Sequence, residues 1–364
     1  MPCAVPGSDP ADRLWLAVMG KGIEVTNIRK QKKKRSALVT VLIVLLVLVV
    51  LAAAAAALFT LGTLNKLGRV DQNSVDQLSS KEEYFDPDAA GQNDTLSPQQ
   101  VAWALPSANP APANVKNILL IGQDRRPGEL RARSDTMIIC SINEDTKKIT
   151  LTSLMRDMYV PFPGDFSDNR INAAYAFGGM PLLDTLIKED FGVTIDGNVE
   201  VDFDSFIEVM DLIAPLEIEL KDYEAGYMNS DTNWNLSVGY NQLSGEQLLR
   251  YVRIRHVGHA DWERTERQRR VLRAAFDKVR NMSLAEINEL ANAALPCFST
   301  DLTNKEILAY IYTVISNKMT IGETYRLPVE GTYTQEQIRG MAVLLPDLKV
   351  NAEYLKEYIY GSSD

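Results

Sequence analysis

A chain of 364 residues is long enough for a full catalytic domain with attachments, so a peptide, a toxin or a minimal scaffold is excluded. With 46% hydrophobic, 24% charged and 8% aromatic residues it is neither wholly disordered nor fibrous. The formal charge of -10 excludes a general nucleic-acid binder, and it is unevenly spread: residues 1–36 hold eight Lys and Arg against three Asp and Glu, a tail of +5 on a remainder of -15.

Residues 1–36 read as a basic cytoplasmic tail. From Ala37 to Leu61 the chain is apolar for 25 residues, with only the hydroxyls of Thr40 and Thr60 as polar side chains. At about 1.5 Å per residue this is enough to cross a bilayer. RKQKKKR, Arg29 to Arg35, stands immediately before it. Basic flanks stay cytoplasmic, so the pattern predicts one transmembrane helix over 37–61 in the cell membrane, with all that follows outside the cell. A cleaved signal peptide fits less well, because its apolar core would be about 7 to 15 residues and would start earlier.

Residues 62–114, rich in Asn, Gln, Asp, Ser and Pro, predict an extracellular polar stalk with a helix around Pro98 to Ala104. The dense apolar pattern from Val115 predicts one exported domain over 115–364. Cys140 and Cys297 lie in that domain and Cys3 in the tail. The count excludes a disulfide framework; the exported pair is either one bridge or, the favoured reading, two free thiols.

VKNILLIG, SDTMIICSI and KITLTSLMRD read as three strands, the last two joined by the turn NEDTK and therefore antiparallel. This brings Asp124, Asp135 and Arg156 to one sheet edge, a setting for a divalent cation beside a phosphate. Arg170 leads into INAAYAFGGMPLLDTLIKEDF, a helix interrupted around Gly178, Gly179 and Pro181. A cation at a helix start calls for an anionic partner, either Asp168 or a ligand phosphate. NVEVDF and LEIEL read as strands around a helix from about Asp204 to Ile213, so the fold class is α/β, a mixed central sheet flanked by helices.

LSGEQLLRYVRIRHVGHADWERTERQRRVLRAAFDKV carries the most information. Ser244 with Gln247 is a capping box for a helix bearing Arg250 and leading to Arg253 and Arg255; Asp261 is expected to cap a second helix. On the latter, Val271, Leu272, Ala275, Phe276 and Val279 form an apolar stripe, and one-turn steps back reach Gln268 and Arg264. An Arg on a buried line is costly unless an anion meets it, which marks a site. Arg269, Arg270 and Arg273 fall on other faces and are expected to be solvated or membrane-surface charges.

No G-x-x-x-x-G-K-[ST] loop, no G-x-G-x-x-G and no G-x-S-x-G elbow is present. His256 and His259 lack the H-E-x-x-H pattern of a zinc site.

Taken together, NILLIGQDRR with RSDTMII, TSLMRDMYV, RINAAYAFGG, YVRIRH and DWERTERQ resemble the LytR-CpsA-Psr family of cell-wall glycopolymer transferases, from about Val115 to the C-terminus. MAVLLPDLKVNAEYLKEYIYG is similar to the family's closing strand and helix. The resemblance implies transfer of an undecaprenyl-pyrophosphate-linked teichoic acid or capsular polysaccharide onto peptidoglycan, with release of undecaprenyl phosphate. It further implies Mg²⁺, with Mn²⁺ as the alternative, held by Asp124 and Asp135. The pyrophosphate clamp would be Arg156, Arg170, Arg253, Arg255 and Arg264 with Gln268, and Asp261 would orient an Arg or serve the metal shell. Since Arg does not deprotonate, a carboxylate such as Asp135 or a metal-bound group is the candidate acceptor for the hydroxyl proton. Met155, Ala214-Pro215 and Glu263 depart from the family pattern, where Pro, a Gly pair and Gly are usual. A prenyl-pyrophosphate hydrolase and a non-enzymatic lipid-binding envelope regulator are the alternative classes.

Overall fold

The computed structural model describes residues 64–70, 93–106, 112–123, 131–230, 232–254, 257–258 and 260–361. The tail 1–36 and the apolar stretch 37–61 lie outside the described residues, and among the described residues no helix is long and apolar enough to cross a membrane.

Strand β1 (Gly68–Arg69) and a 3-10 turn at Pro98–Gln100 precede three long strands, β2 (Val115–Gln123), β3 (Ser134–Asn143) and β4 (Lys148–Leu154). β3 is antiparallel to both β2 and β4, as the short NEDTK turn requires. β5 (Tyr159–Val160) and β6 (Asn169–Arg170) form a small ribbon. Helix α1 (Asn172–Phe191) breaks where expected: Gly179 has φ 64° and ψ -152°, and Pro181 offers no N–H. β7 (Gly197–Asp202) ends in Asp202, whose carboxylate caps α2 (Phe203–Ile213) by accepting from the Ser205 N–H.

Then come β8 (Leu216–Leu220), α3 (Asp222–Asn229), β9 (Gly239–Leu243), α4 (Gly245–Val252), α5 (Ala260–Arg280), α6 (Leu284–Ala294) and β10 (Phe298–Thr300). The chain closes with α7 (Asn304–Ser316), β11 (Thr320–Leu327), β12 (Tyr333–Ile338), β13 (Met341–Pro346) and α8 (Leu348–Tyr360). The capping box at Ser244 and Gln247 is formed as its spacing predicts. Helix α5 begins at Ala260, so Asp261 lies inside its first turn and not ahead of it as expected.

Among the described residues seven strands make one mixed sheet in the order β1-β10-β7-β2-β3-β4-β11. β2 is parallel to β7 and β11 to β4, while β3 and β10 run antiparallel to their long neighbours. Successive side chains of a strand point to opposite faces. Ile118, Leu120, Ile138 and Cys140 enter one apolar layer beneath α2, α4, α5, α6 and α7. Leu119, Ile121, Met137 and Ile139 enter a second layer beneath α1 and α8. Helices on both faces explain why β2 and β3 read as continuous apolar runs without a polar side.

Two expectations change. LEIEL is a strand, but β8 pairs with β9 in a separate ribbon and not in the central sheet. The stalk reading of 62–114 fails for its described parts. Leu64 and Leu67 are buried in the helix-covered layer, and β1 extends the sheet beside β10. Residues 93–106 pack on the C-terminal hairpin: the Thr95 N–H donates to the Gln337 carbonyl at 2.9 Å, and Trp103 lies 6.0 Å from the Tyr159 ring. Helix is confined there to Pro98–Gln100, because the stretch trades helical bonds for these contacts. Cys140 and Cys297 are both free thiols.

Burial pushes the Asp190 carboxyl of α1 up to about 8, with Glu189 and Asp168 adding repulsion. An acid with a folded pKa above its unfolded value retains its proton in the native state, so stability falls as pH rises from about 4 to about 8. Asp190→Asn is therefore expected to gain in melting temperature on the wild type between pH 5 and pH 8; parallel thermal melts at the two pH values check this.

Candidate functional site

The register of β3 on β4 creates the centre of the site. Met137 pairs with Leu154, so Asp135 and Arg156, each two residues further along their antiparallel strands, come together. The Arg156 Nη1 donates to Asp135 Oδ1 at 2.9 Å, and its Nε stands 3.4 Å from Asp157 Oδ2. Arg170, delivered by β6, places its Nε 3.5 Å from Asp157 Oδ1 and donates through Nη2 to the Ala342 carbonyl at 2.5 Å. The anionic partner that its position calls for is thus Asp157 and not Asp168, which accepts from Trp103 Nε1 at 2.8 Å.

Burial lowers the pKa of Arg170; Asp157 opposes this, and the positive fields of Arg133 and Arg156 reinforce it. Three guanidinium groups therefore share the edge with Asp135 and Asp157. Guanidinium forks match phosphate oxygens, so this edge carries the donors that binding an anion would require.

Helix α5 supplies the second half. Arg264 and Gln268 are buried in line with Val271, Leu272, Ala275, Phe276 and Val279, as the periodicity predicts. Arg253 sits just past the end of α4, at the carbonyl end of the helix dipole. Asp124, Arg255, His256, His259 and the side chain of Asp261 lie outside the described residues.

Two expectations on α5 are overturned. Arg269 is buried, donating to Ser153 Oγ at 2.7 Å and Thr324 Oγ1 at 3.1 Å, and burial with Arg326 nearby pushes it down to about 10. Arg270 is half-buried against Glu224, Tyr251 and Glu266. Both point toward strands and helices that pack across α5, so the apolar stripe alone understates its buried width. Arg273 is exposed as expected.

Arg267 was not singled out, although one turn back from Val271 lands on it. Its side chain is fully buried. Nε donates to Glu224 Oε1 at 2.7 Å, Nη2 to Glu263 Oε2 at 2.9 Å, and Nη1 to the Ile254 carbonyl at 2.8 Å. Ile254 stands between Arg253 and Arg255, so Arg267 ties the backbone that carries both clamp candidates to α3 and α5. Glu263, where the family pattern has Gly, also accepts from the Tyr223 hydroxyl at 2.7 Å, and the departure therefore adds a partner to the network.

The halves meet at a groove of about 450 Å³ lined by Met155, Asp157, Trp262, Gln335, Gln337 and Leu344. Arg326 stacks 3.8 Å over the Trp262 ring, and Trp262 also meets Tyr333 at 5.1 Å. Among the described residues no three His, Cys, Asp or Glu gather as a metal cage. Mg²⁺ is commonly held by one or two carboxylates together with waters and phosphate oxygens. Asp135, a hard oxygen donor facing guanidinium groups, fits that shared mode.

A mixed sheet covered on both faces by helices, with the half-buried Arg156 and Arg170 beside Asp135 and Asp157 at one strand end, defines an α/β domain with a charged sheet edge. The pattern of the LytR_cpsA_psr family matches residues 77–357, and the chain belongs to that family. It is 31% identical over 191 residues to a polyisoprenyl-teichoic acid–peptidoglycan teichoic acid transferase TagU of Enterococcus faecalis, covering 51% of this chain and 61% of that protein. With the protein of the same description from Oceanobacillus iheyensis it shares 34% over 174 residues, 46% of this chain and 52% of the other. A regulatory protein MsrR of Staphylococcus aureus is 31% identical over 156 residues, 43% of this chain and 46% of that one. The chain thus spans roughly half of each of these relatives. In fold it is similar to TagT bound to LI-WTA, with TM-score 0.54 and 23% identity over 68% of this chain and 91% of that one. B. subtilis TagV gives TM-score 0.53 at 24% identity over 70% and 100%.

Truncating one partner of a buried ion pair typically costs about 3–5 kcal/mol. Arg267→Ala is expected to destabilise the protein by about that amount, read as a lowered denaturant midpoint, whereas Arg273→Ala, on the exposed side of the same helix, is expected to change it by less than about 0.5 kcal/mol.

Proposed function

We propose that the chain is a membrane-anchored extracytoplasmic phosphotransferase that attaches an undecaprenyl-pyrophosphate-linked glycopolymer, a teichoic acid or capsular polysaccharide, to peptidoglycan. The observation that carries the proposal is the bonded set Asp135, Arg156, Asp157 and Arg170 at one strand end, in a chain whose relatives bear the name of such transferases. The N-terminal tail would be cytoplasmic, residues 37–61 the single span, and the folded domain extracellular.

In this reaction a peptidoglycan hydroxyl oxygen attacks the phosphorus that bears the glycan. The bond from that phosphorus to the bridging oxygen breaks, and undecaprenyl phosphate leaves. Phosphoryl transfer needs positioning and charge neutralisation more than covalent catalysis. Arg156 and Arg170, oriented by Asp157, would hold the pyrophosphate oxygens, with Arg253, Arg255, Arg264 and Gln268 closing from α4 and α5. Asp135 is the carboxylate best placed to take the hydroxyl proton, and its bond to Arg156 orients it. Mg²⁺ held by Asp124 and Asp135 would neutralise the charge developing on the leaving phosphate.

Removing one charge-stabilising donor from such a site commonly lowers turnover about 100- to 1,000-fold. With a lipid-pyrophosphate glycan, peptidoglycan oligomers and Mg²⁺, Arg156→Ala is expected to lose phosphodiester-linked product by that factor. Chelation of the divalent cation is expected to abolish product and its re-addition to restore it. Phosphate-ended free glycan in place of ligated product would replace the transferase with a hydrolase. Unchanged cellular function in Arg156→Ala would favour a lipid-binding regulator, the reading that the name of the MsrR relative supports.

A further inference from the structure

The sequence leaves very little chain between the end of the apolar stretch and the folded domain. The stretch ends at Leu61, and Leu64 is already buried in the core. Three Cα steps of about 3.8 Å cover at most about 11 Å. The attachment is firm: β1 pairs with β10, Arg69 donates to the Leu302 carbonyl and to Asn304 Oδ1, Asn304 Nδ2 donates to Asn65 Oδ1 at 2.9 Å, and Lys66 Nζ donates to Asn292 Oδ1 at 3.0 Å. The chain is therefore fastened to the corner where α7 begins.

Helix α7 has an unusual outer face. Its inner face is closed by Ile307, Ile311 and Val314, all buried. One flank of the helix carries the half-buried Leu308 with Tyr312 and Ile315, the last two 69% and 41% exposed. Lys305 and Lys318 flank it, both exposed. The Glu306 carboxylate is turned back onto the cap, accepting from the Thr303 N–H at 2.8 Å and the Thr303 hydroxyl at 2.7 Å. A helix with an exposed tyrosine and isoleucine one turn apart on one flank and lysines at its ends has the make-up of an interfacial helix.

We propose that this flank of α7 rests on the lipid bilayer, with Tyr312 and Ile315 at the headgroup level and Lys305 and Lys318 toward lipid phosphates. Residues 64–70 then act as a short clamp that holds the domain on the membrane, where a stalk would let it swing. The proposal rests on the reading of 37–61 as a membrane span. With strands about 4.8 Å apart, the four spacings from β1 to β3 put Asp135 about 19 Å across the sheet from this anchored edge.

The test uses the full chain in vesicles of phosphatidylglycerol and phosphatidylethanolamine, with nitroxide labels at Tyr312→Cys, Ile315→Cys or, on α8, Glu353→Cys, each in a Cys3→Ser/Cys297→Ser background. The labels at 312 and 315 are expected to be several-fold less accessible to an aqueous nickel chelate than the label at 353, and more accessible to oxygen. An alkaline carbonate wash of the same vesicles separates the two ways to fail. If the chain stays with the lipid but label 312 is as exposed to the chelate as label 353, the α7 surface is overturned and the anchor stands. If the wash releases the chain, the anchor falls and the proposal with it.

Discussion

A guanidinium cannot shed its proton at neutral pH, so every arginine withdrawn from water must be met by oxygen atoms. Helix α5 is built around that constraint. Arg267 is fully enclosed and each of its three nitrogens finds an acceptor: two carboxylates and one backbone carbonyl. Arg269 crosses to β4 and β11, and Arg270 turns to Glu224 and Glu266. The helix is thereby locked in rotation, with Arg264, Thr265 and Gln268 as its other buried polar residues. Apolar packing of Val271 through Val279 holds α5 on the sheet, and the charged contacts fix its rotation about its own axis.

The same constraint works at the strand end. Arg156 and Arg170 are partly desolvated, and Asp157 lies between them, sharing one carboxylate between two guanidinium groups. The pair is held apart at a fixed spacing and retains positive charge for an incoming anion. Trp262 and Arg326 stack beside Asp157, joining α5 to this edge through an aromatic ring whose face offers a cation a favourable partner.

The early chain segments show the opposite relation between composition and structure. Residues 64–70 and 93–106 are polar and carry little periodicity, which is the signature of a linker. They are nonetheless ordered by a few strong contacts: two leucines in the core, a short parallel pairing, and Trp103 with its Asp168 bond. Such contacts depend on residues more than 60 positions away. No local pattern announces them.

Much of the fold was legible without coordinates. The turn NEDTK and the apolar runs on either side set an antiparallel pair, the Gly-Gly-x-Pro break appeared inside α1, and the Ser244 and Gln247 capping box started α4, because each is a short-range consequence of backbone stereochemistry. The convergence of Asp135 and Arg156 was legible for the same reason, as strand register follows from the turn. The buried line on α5 leads to Arg264 and Gln268 and equally to Arg267, whereas nothing in the periodicity shows that Arg269 and Arg270 leave solvent. What only the tertiary structure decided was which oxygens meet which arginines: Asp157 for Arg170, Glu224 and Ile254 for Arg267, Ser153 for Arg269. Periodicity reports that a side chain leaves water. The partner that makes this affordable comes from another element, and its approach is set by packing across the whole domain.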